Sequence, residues 1–470
     1  MKYKLYIAAI ALLCTCSLNL KAQIIITIAG NDTAGYSGDG DQAINASFNW
    51  PSAIAVDHSG DMYIVDMDNN IIRKVDPSGF ITAFAGNTLI GYVGDGFNAA
   101  VAKFNNPTDV ALDQFGNVYI ADQYNHVIRK INASRIISTF AGNGFEASTG
   151  AGGYSGDGGP AVEAEFYSPQ SIAFDVPGNL YISDIGNSVI RKVTPAGLIS
   201  TIAGISMQTG YSGDGGDATA AKLNSPMGLA VDNAGNLFIA DQFNNVVRKV
   251  NTAGVISTVA GNGYHNGSAD HSGGYTGDGG PATSAELSLP ADVAIDGSGN
   301  LFIADEYNHV IREVSTSGSI STVAGSGSPG YSGDWGWAKS AKLNFPSGIA
   351  FNGSGDLLIA DLNNNVIRKV NTGTTGINQP TAAKNELRLI LNPNKGVFFV
   401  KGTMGQMTDQ NVSLEVLDME GQVVYKNTLT ARDGAIDTQV TLDNNLANGM
   451  YILRVSTASE TNISRFVIEK

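Results

Sequence analysis

A single string, Asp-x-x-Asn-x-x-x-Arg, occurs six times along this chain. It reads as Asp66/Asn69/Arg73, Asp122/Asn125/Arg129, Asp184/Asn187/Arg191, Asp241/Asn244/Arg248, Asp305/Asn308/Arg312 and Asp361/Asn364/Arg368. Successive arginines stand 56, 62, 57, 64 and 56 residues apart. A repeat of this kind marks identical supersecondary units that bury their apolar faces only against each other. Each unit carries four strand-like runs. In the second they are DVALD (109–113), NVYIAD (117–122), HVIRKI (126–131) and ISTFAG (137–142). β-Branched and aromatic residues punctuated by turn residues predict strands, and four antiparallel strands per unit form one blade of a β-propeller. Small residues alternate along the first strand, as in Ile54–Ala55–Val56, where blades converge on the axis.

The sixth unit stops after NVIRKV (365–370), one strand short, while a spare copy of that strand, IIITIAG (24–30), lies near the start of the chain. The N-terminal strand is therefore expected to complete the last blade and close the ring, which removes an exposed sheet edge. With 57 Gly and only 15% charged residues, the composition suits a turn-rich all-β protein. A net charge of −15 argues against a nucleic-acid partner, which would need a basic face.

Residues 1–22 read as a signal peptide. Lys2 and Lys4 precede an apolar stretch from Tyr6 to Leu13, and Ala22 offers a small residue before a cut at Gln23. The stretch is too short to span a bilayer, so no transmembrane segment is expected in the mature chain. Cleavage at Cys14 or Cys16 as a lipoprotein is disfavoured by Leu13 and Thr15 in front of them. Both cysteines fall in this segment, so the mature chain has no disulfide, thiol nucleophile or thiolate metal site.

PTDVALD…GNVYIADQYNHVIRK (107–130) and PADVAIDGSGNLFIADEYNHVIRE (290–313) resemble the NHL repeat family, its Asn-His-Leu triplet appearing here as Asn-His-Val. In the other copies the His position holds Asn70, Ser188, Asn245 and Asn365. The resemblance covers residues 23–370 and implies a six-bladed propeller; such propellers include both binding modules and lyases. Residues 371–384 read as a linker. LNPNKGVFFV (391–400), SLEVLDMEGQVVYKN (413–427) and LANGMYILRV (446–455) then predict a small β-sandwich over 385–470. That region resembles the type IX (Por) secretion-system sorting domain. The resemblance implies passage through the type IX machinery and a secreted or outer-surface location.

Because the Asp-x-x-Asn-x-x-x-Arg string is in every copy, it is expected to maintain the blade. A second repeated string, GYSGDG and its variants, carries Asp39, Asp95, Asp157, Asp214, Asp278 and Asp334. One carboxylate per loop falls short of a Ca²⁺ site, so turn and helix-start chemistry is expected there. Function is sought where copies differ. Two blade-to-blade loops are enlarged, 143–152 and 262–273, and they should share a face with Tyr124, His126, Phe243, Tyr307 and His309. These five are the candidate ligand-binding residues. Asp109 and Asp292 sit at the start of the innermost strands of opposite blades and are the candidate catalytic or cation-holding pair, Ca²⁺ being the cation such carboxylates would take. His265 and His271, with Asp270, are weaker metal candidates within one loop. The resemblance extends to zinc-dependent amidating lyases that use His around the entrance to the innermost strands; after its blade-opening prolines this chain has Ser52, Thr108, Gln170, Met227, Ala291 and Ser347. The expected function is a non-catalytic module binding an extracellular glycan or peptide, with a cation-dependent lyase or lactone-type hydrolase at the axis as the alternative.

Overall fold

A computed structural model describes residues 23–145, 150–265 and 273–371, and strands of the C-terminal region between 387 and 468. The expected signal peptide and most of the expected linker lie outside the described residues. Two compact units divide at Thr374/Thr375.

The first unit is a six-bladed propeller. Each blade is a four-stranded antiparallel sheet, and five of the six run in sequence order. Blade 2, for example, runs Pro107–Leu112, Val118–Asp122, Val127–Ile131 and Ile137–Ala141. The last sheet recruits Ile25–Ala29 beside Val366–Val370, so the N-terminal strand closes the ring as the missing copy requires. Apolar residues pack between blades rather than around one centre. One such layer joins Tyr119, Ala121 and Ile128 of blade 2 to Ile172, Leu180 and Ile182 of blade 3. The GYSGDG string and its variants lead into a single 3-10 turn, as at Ala282–Ser284, with Pro281 at its N-cap.

In the second unit, Leu387–Leu391, Val397–Thr403 and Ala435–Thr441 form one sheet, and Gln410–Leu417, Val423–Ala431, Gly449–Ser456 and Thr461–Ile468 another. Phe398, Val400 and Val440 of the first pack with Leu414 and Leu453 of the second. This is a small sandwich core. No helix among the described residues is long and apolar enough to cross a membrane.

Candidate functional site at the propeller axis

The repeated strings position everything near the axis. Each arginine of the Asp-x-x-Asn-x-x-x-Arg string is fully buried between two carboxylates. Arg129 meets Asp122 of its own blade at 3.3 Å and Asp95 of the preceding loop at 2.5 Å, while the Tyr92 ring lies 5.1 Å from the guanidinium carbon. Asn125 donates to Asp122 and to the Gly91 carbonyl, both at 2.8 Å. The loop aspartates are thus partners of the buried arginines, a role that turn chemistry alone misses. The signal was in the spacing. Loop aspartate and arginine are 34 residues apart in all six blades, although the repeat length varies.

The turn between the second and third strands ends in a left-handed residue in every blade: Asn70, His126, Ser188, Asn245, His309 and Asn365. At five of the six junctions that side chain accepts the backbone N–H just before the next blade's opening proline. Asn70 takes Asn106, His126 takes Ser168, Asn245 takes Leu289, His309 takes Phe345 and Asn365 takes Trp50. His126 and His309, candidate ligand residues in the sequence, thus have a structural role at this junction. They are 1% and 9% exposed, and each uses Nδ1 as a blade-to-blade acceptor, as Asn Oδ1 does elsewhere. Burial lowers both imidazole pKa values.

A test follows for this clasp. His126→Asn keeps an acceptor and is expected to change stability by less than about 1 kcal/mol. His126→Leu strands the Ser168 N–H and costs about 1–3 kcal/mol. Because the folded pKa lies below 6.5, the unfolded chain binds the extra proton, and the clasp is lost as pH falls below that value. Denaturant unfolding between pH 8 and 5 reads both effects; equal losses for Asn and Leu would contradict the acceptor role.

The other surface candidates separate from the axis. Tyr124 and Tyr307 are about half exposed on the expected face, the latter edge-on to Phe345 at 5.0 Å, and neither lines the axial cavity. Phe243 sits half-buried in the turn Gln242–Asn244. His265 is exposed and stacked on Tyr264 at 3.9 Å; Asp270 and His271 lie outside the described residues, as do parts of both enlarged loops.

Asp109 and Asp292 do come together at one end of the axis, in a cavity of about 230 Å³. Asp109 accepts from its neighbour Val110 N–H at 2.7 Å and, on blade 3, from Ile172 N–H at 2.7 Å and Ser171 Oγ at 2.8 Å. Asp292 accepts from Val293 N–H and from Ile349 N–H of blade 6, both at 2.8 Å. A β-carbon at Gly228 would lie 2.1 Å from Asp292 Oδ1, so only glycine permits this approach. Each carboxylate therefore bridges two blades and keeps lone pairs to spare.

Glu306, absent from the sequence candidates, joins them. It follows the constant Asp305, at the position that holds Met67, Gln123, Ile185, Gln242 and Leu362 in the other blades. Burial raises Asp109 to about 6 and Glu306 to about 7. Asp292 is raised well above the usual range by burial and by the charge of Asp109. No Lys or Arg lines the cavity. Its remaining wall includes Trp50, Met67, Met227 and Leu362. Among the described residues no three His, Cys, Asp or Glu side chains are grouped to share a metal ion.

Comparison with known proteins bears on the fold and the two-domain make-up. Residues 31–91, 140–210 and 205–274 match the Teneurin NHL domain, and residues 392–469 match the secretion system C-terminal sorting domain. Mouse teneurin-4 is 31% identical over 349 residues, covering 68% of this chain but only 12% of teneurin-4. A Bacteroides thetaiotaomicron structural genomics protein of unknown function superposes with a TM-score of 0.54 at 20% identity, covering 74% of this chain and 76% of that one. An auxiliary nutrient binding protein from Bacteroides ovatus gives 0.52 at 17% identity, with the same coverages. At such identities the structural likeness concerns the fold.

Proposed function

From the premise of an NHL-type six-bladed propeller joined to a type IX (Por) sorting domain, and so exported to the cell surface or beyond, we propose a binding module. Its ligand is an extracellular peptide that inserts one basic side chain into the axial cavity. The carrying observation is the composition of that cavity. Three carboxylates without a basic neighbour share its wall with an indole, two methionines and a leucine. An ammonium or guanidinium on a hydrocarbon stem complements such a mixed wall, the charge meeting carboxylate and the stem meeting apolar side chains. At about 230 Å³ the cavity is below the usual range for a whole small molecule, which favours one protruding group of a larger ligand. Cation binding draws the raised carboxylates into their ionised form.

A peptide array with single Lys or Arg residues, beside a glycan array, tests this on the purified chain. Glu306→Gln is the informative variant, because among the described residues the one hydrogen bond to its carboxylate comes from Gln242 at 3.4 Å. It is expected to weaken a basic peptide about tenfold with an unchanged melting temperature. Retention of glycans alone, or of Lys peptides and their norleucine analogues equally, would overturn the reading.

A further inference from the structure

The opposite face carries a second site, independent of the axial one. Each blade joins its first and second strands through a four-residue turn. Four of these have small or polar central residues: His58–Ser59, Asn233–Ala234, Gly297–Ser298 and Gly353–Ser354. Adjacent blades 2 and 3 instead place Gln114–Phe115 and Val176–Pro177 there. Phe115 and Val176 are 77% and 72% exposed. Nothing in blade construction needs apolar residues at these tips, since four blades fold without them.

Between the two tips opens a cavity of about 330 Å³. Its wall includes Tyr119, Phe140 and Phe174, with Tyr119 edge-on to the other two rings at 4.9 and 4.8 Å. The Lys130 ammonium sits over Tyr119 and Phe140, 5.2 and 6.0 Å from their centroids. The equivalent Lys192 and Lys249 of blades 3 and 4 lie over Tyr181 and Phe238, whereas those of blades 1 and 6 meet a carboxylate, Lys74 with Asp61 and Lys369 with Asp356. Blade 2 has Asn117 there, and its amide donates to Asp113 at 2.7 Å. The two aspartates of the wall are committed elsewhere. Asp113 accepts from Phe115 N–H, Asn117 N–H and Tyr119 OH as well; Asp175 accepts from Asn179 N–H, its amide and Tyr181 OH. Lys130 therefore has no carboxylate partner among the described residues.

We infer that this cavity binds an apolar carboxylate, an aromatic or branched hydrocarbon group bearing one anionic oxygen pair. The free C-terminus of a peptide ending in such a residue has this chemistry. The hydrocarbon fills the space between Phe115 and Val176 against the aromatic wall, and the carboxylate supplies the counter-charge that Lys130 lacks.

N-Acetyl-phenylalanine and N-acetyl-phenylalanine amide are the probes, titrated calorimetrically against the mature chain. The acid is expected to bind saturably and the amide at least tenfold more weakly. Lys130→Met should bring the acid down to the level of the amide, and Phe115→Ser should weaken both without lowering the melting temperature. Equal binding of acid and amide, absence of saturable binding, or an unchanged acid affinity in Lys130→Met would each overturn the inference. A basic peptide held at the axis should not compete with the acid, so the two sites fail or stand separately.

Discussion

A chain lacking residues 24–30 is expected to lose the cooperative unfolding transition of the propeller and to associate through its open blade. Ile25–Ala29 pairs antiparallel with Val366–Val370, with Ile25 opposite Val370 and Ala29 opposite Ile367. Both Ile25 and Ala29 are fully buried, in different inter-blade layers. The strand is thus a strut between blades 5 and 6 on one side and blades 6 and 1 on the other. Exposing Ile25 costs about 1.5–3 kcal/mol, and each lost ladder bond adds about 1 kcal/mol. The total approaches the ~5–15 kcal/mol that stabilises an ordinary folded protein, and the freed Val366–Val370 edge is a template for pairing with another chain. Denaturant unfolding and gel filtration check this. An unchanged midpoint in a monomeric protein would show that the ring closes without the strand. Gly30→Ala is a milder version, because at φ +92° its β-carbon would sit 2.4 Å from the Asn365 carbonyl.

Arg248→Ala is expected to cost about 3–5 kcal/mol, because it leaves a buried carboxylate without its cation. Asp241 is fully buried and meets the guanidinium at 3.3 Å, and Asp214 meets it at 2.6 Å from the loop. Burial holds the Asp241 carboxyl near 6 even with this partner present. Removing the arginine raises it further, so the folded variant binds a proton that the unfolded chain does not. Stability carried by that proton is present at low pH and lost as pH rises through the folded pKa. The deficit of the variant is therefore expected to be smaller at pH 5 than at pH 8. The double change Arg248→Met with Asp241→Leu should recover part of the loss, since an apolar pair of similar volume carries no desolvation cost. A deficit independent of pH, or a double variant worse than the single, would contradict this picture of the network.

The repeat made the architecture legible because a propeller is nearly one-dimensional. Six phased copies of Asp-x-x-Asn-x-x-x-Arg, with one strand missing at 370 and spare at 24, leave little choice of topology. Side-chain roles were less legible wherever the partner sits in another repeat. His126 and His309 were ligand candidates because they were expected to share a face with the enlarged loops. The Asn70, Asn245 and Asn365 at the same position were the clue, since His and Asn share an acceptor but little else. The loop aspartates looked like turn residues until their constant distance from arginine was set against the variable repeat length. Asp109 and Asp292 were legible from their place at the start of the innermost strands of opposite blades. Glu306 was hidden because it stands inside the motif, one residue after its first aspartate. The apolar tips Phe115 and Val176 sat in turns, where sequence reading looks for glycine and polar residues rather than for a site.

The central claim is that the axial cavity binds a basic side chain through Asp109, Asp292 and Glu306. Titration calorimetry of the mature chain with a Lys-containing peptide, at a series of pH values, tests it most directly. Carboxylates raised by burial to about 6 and about 7 take up protons as pH falls, so affinity should drop steeply between pH 8 and pH 5, with protons released on binding near neutrality. Glu306→Gln should weaken binding and flatten that dependence. Affinity that stays constant over this range, or a peptide whose norleucine analogue binds equally well, would contradict the assignment of the axial carboxylates as the site.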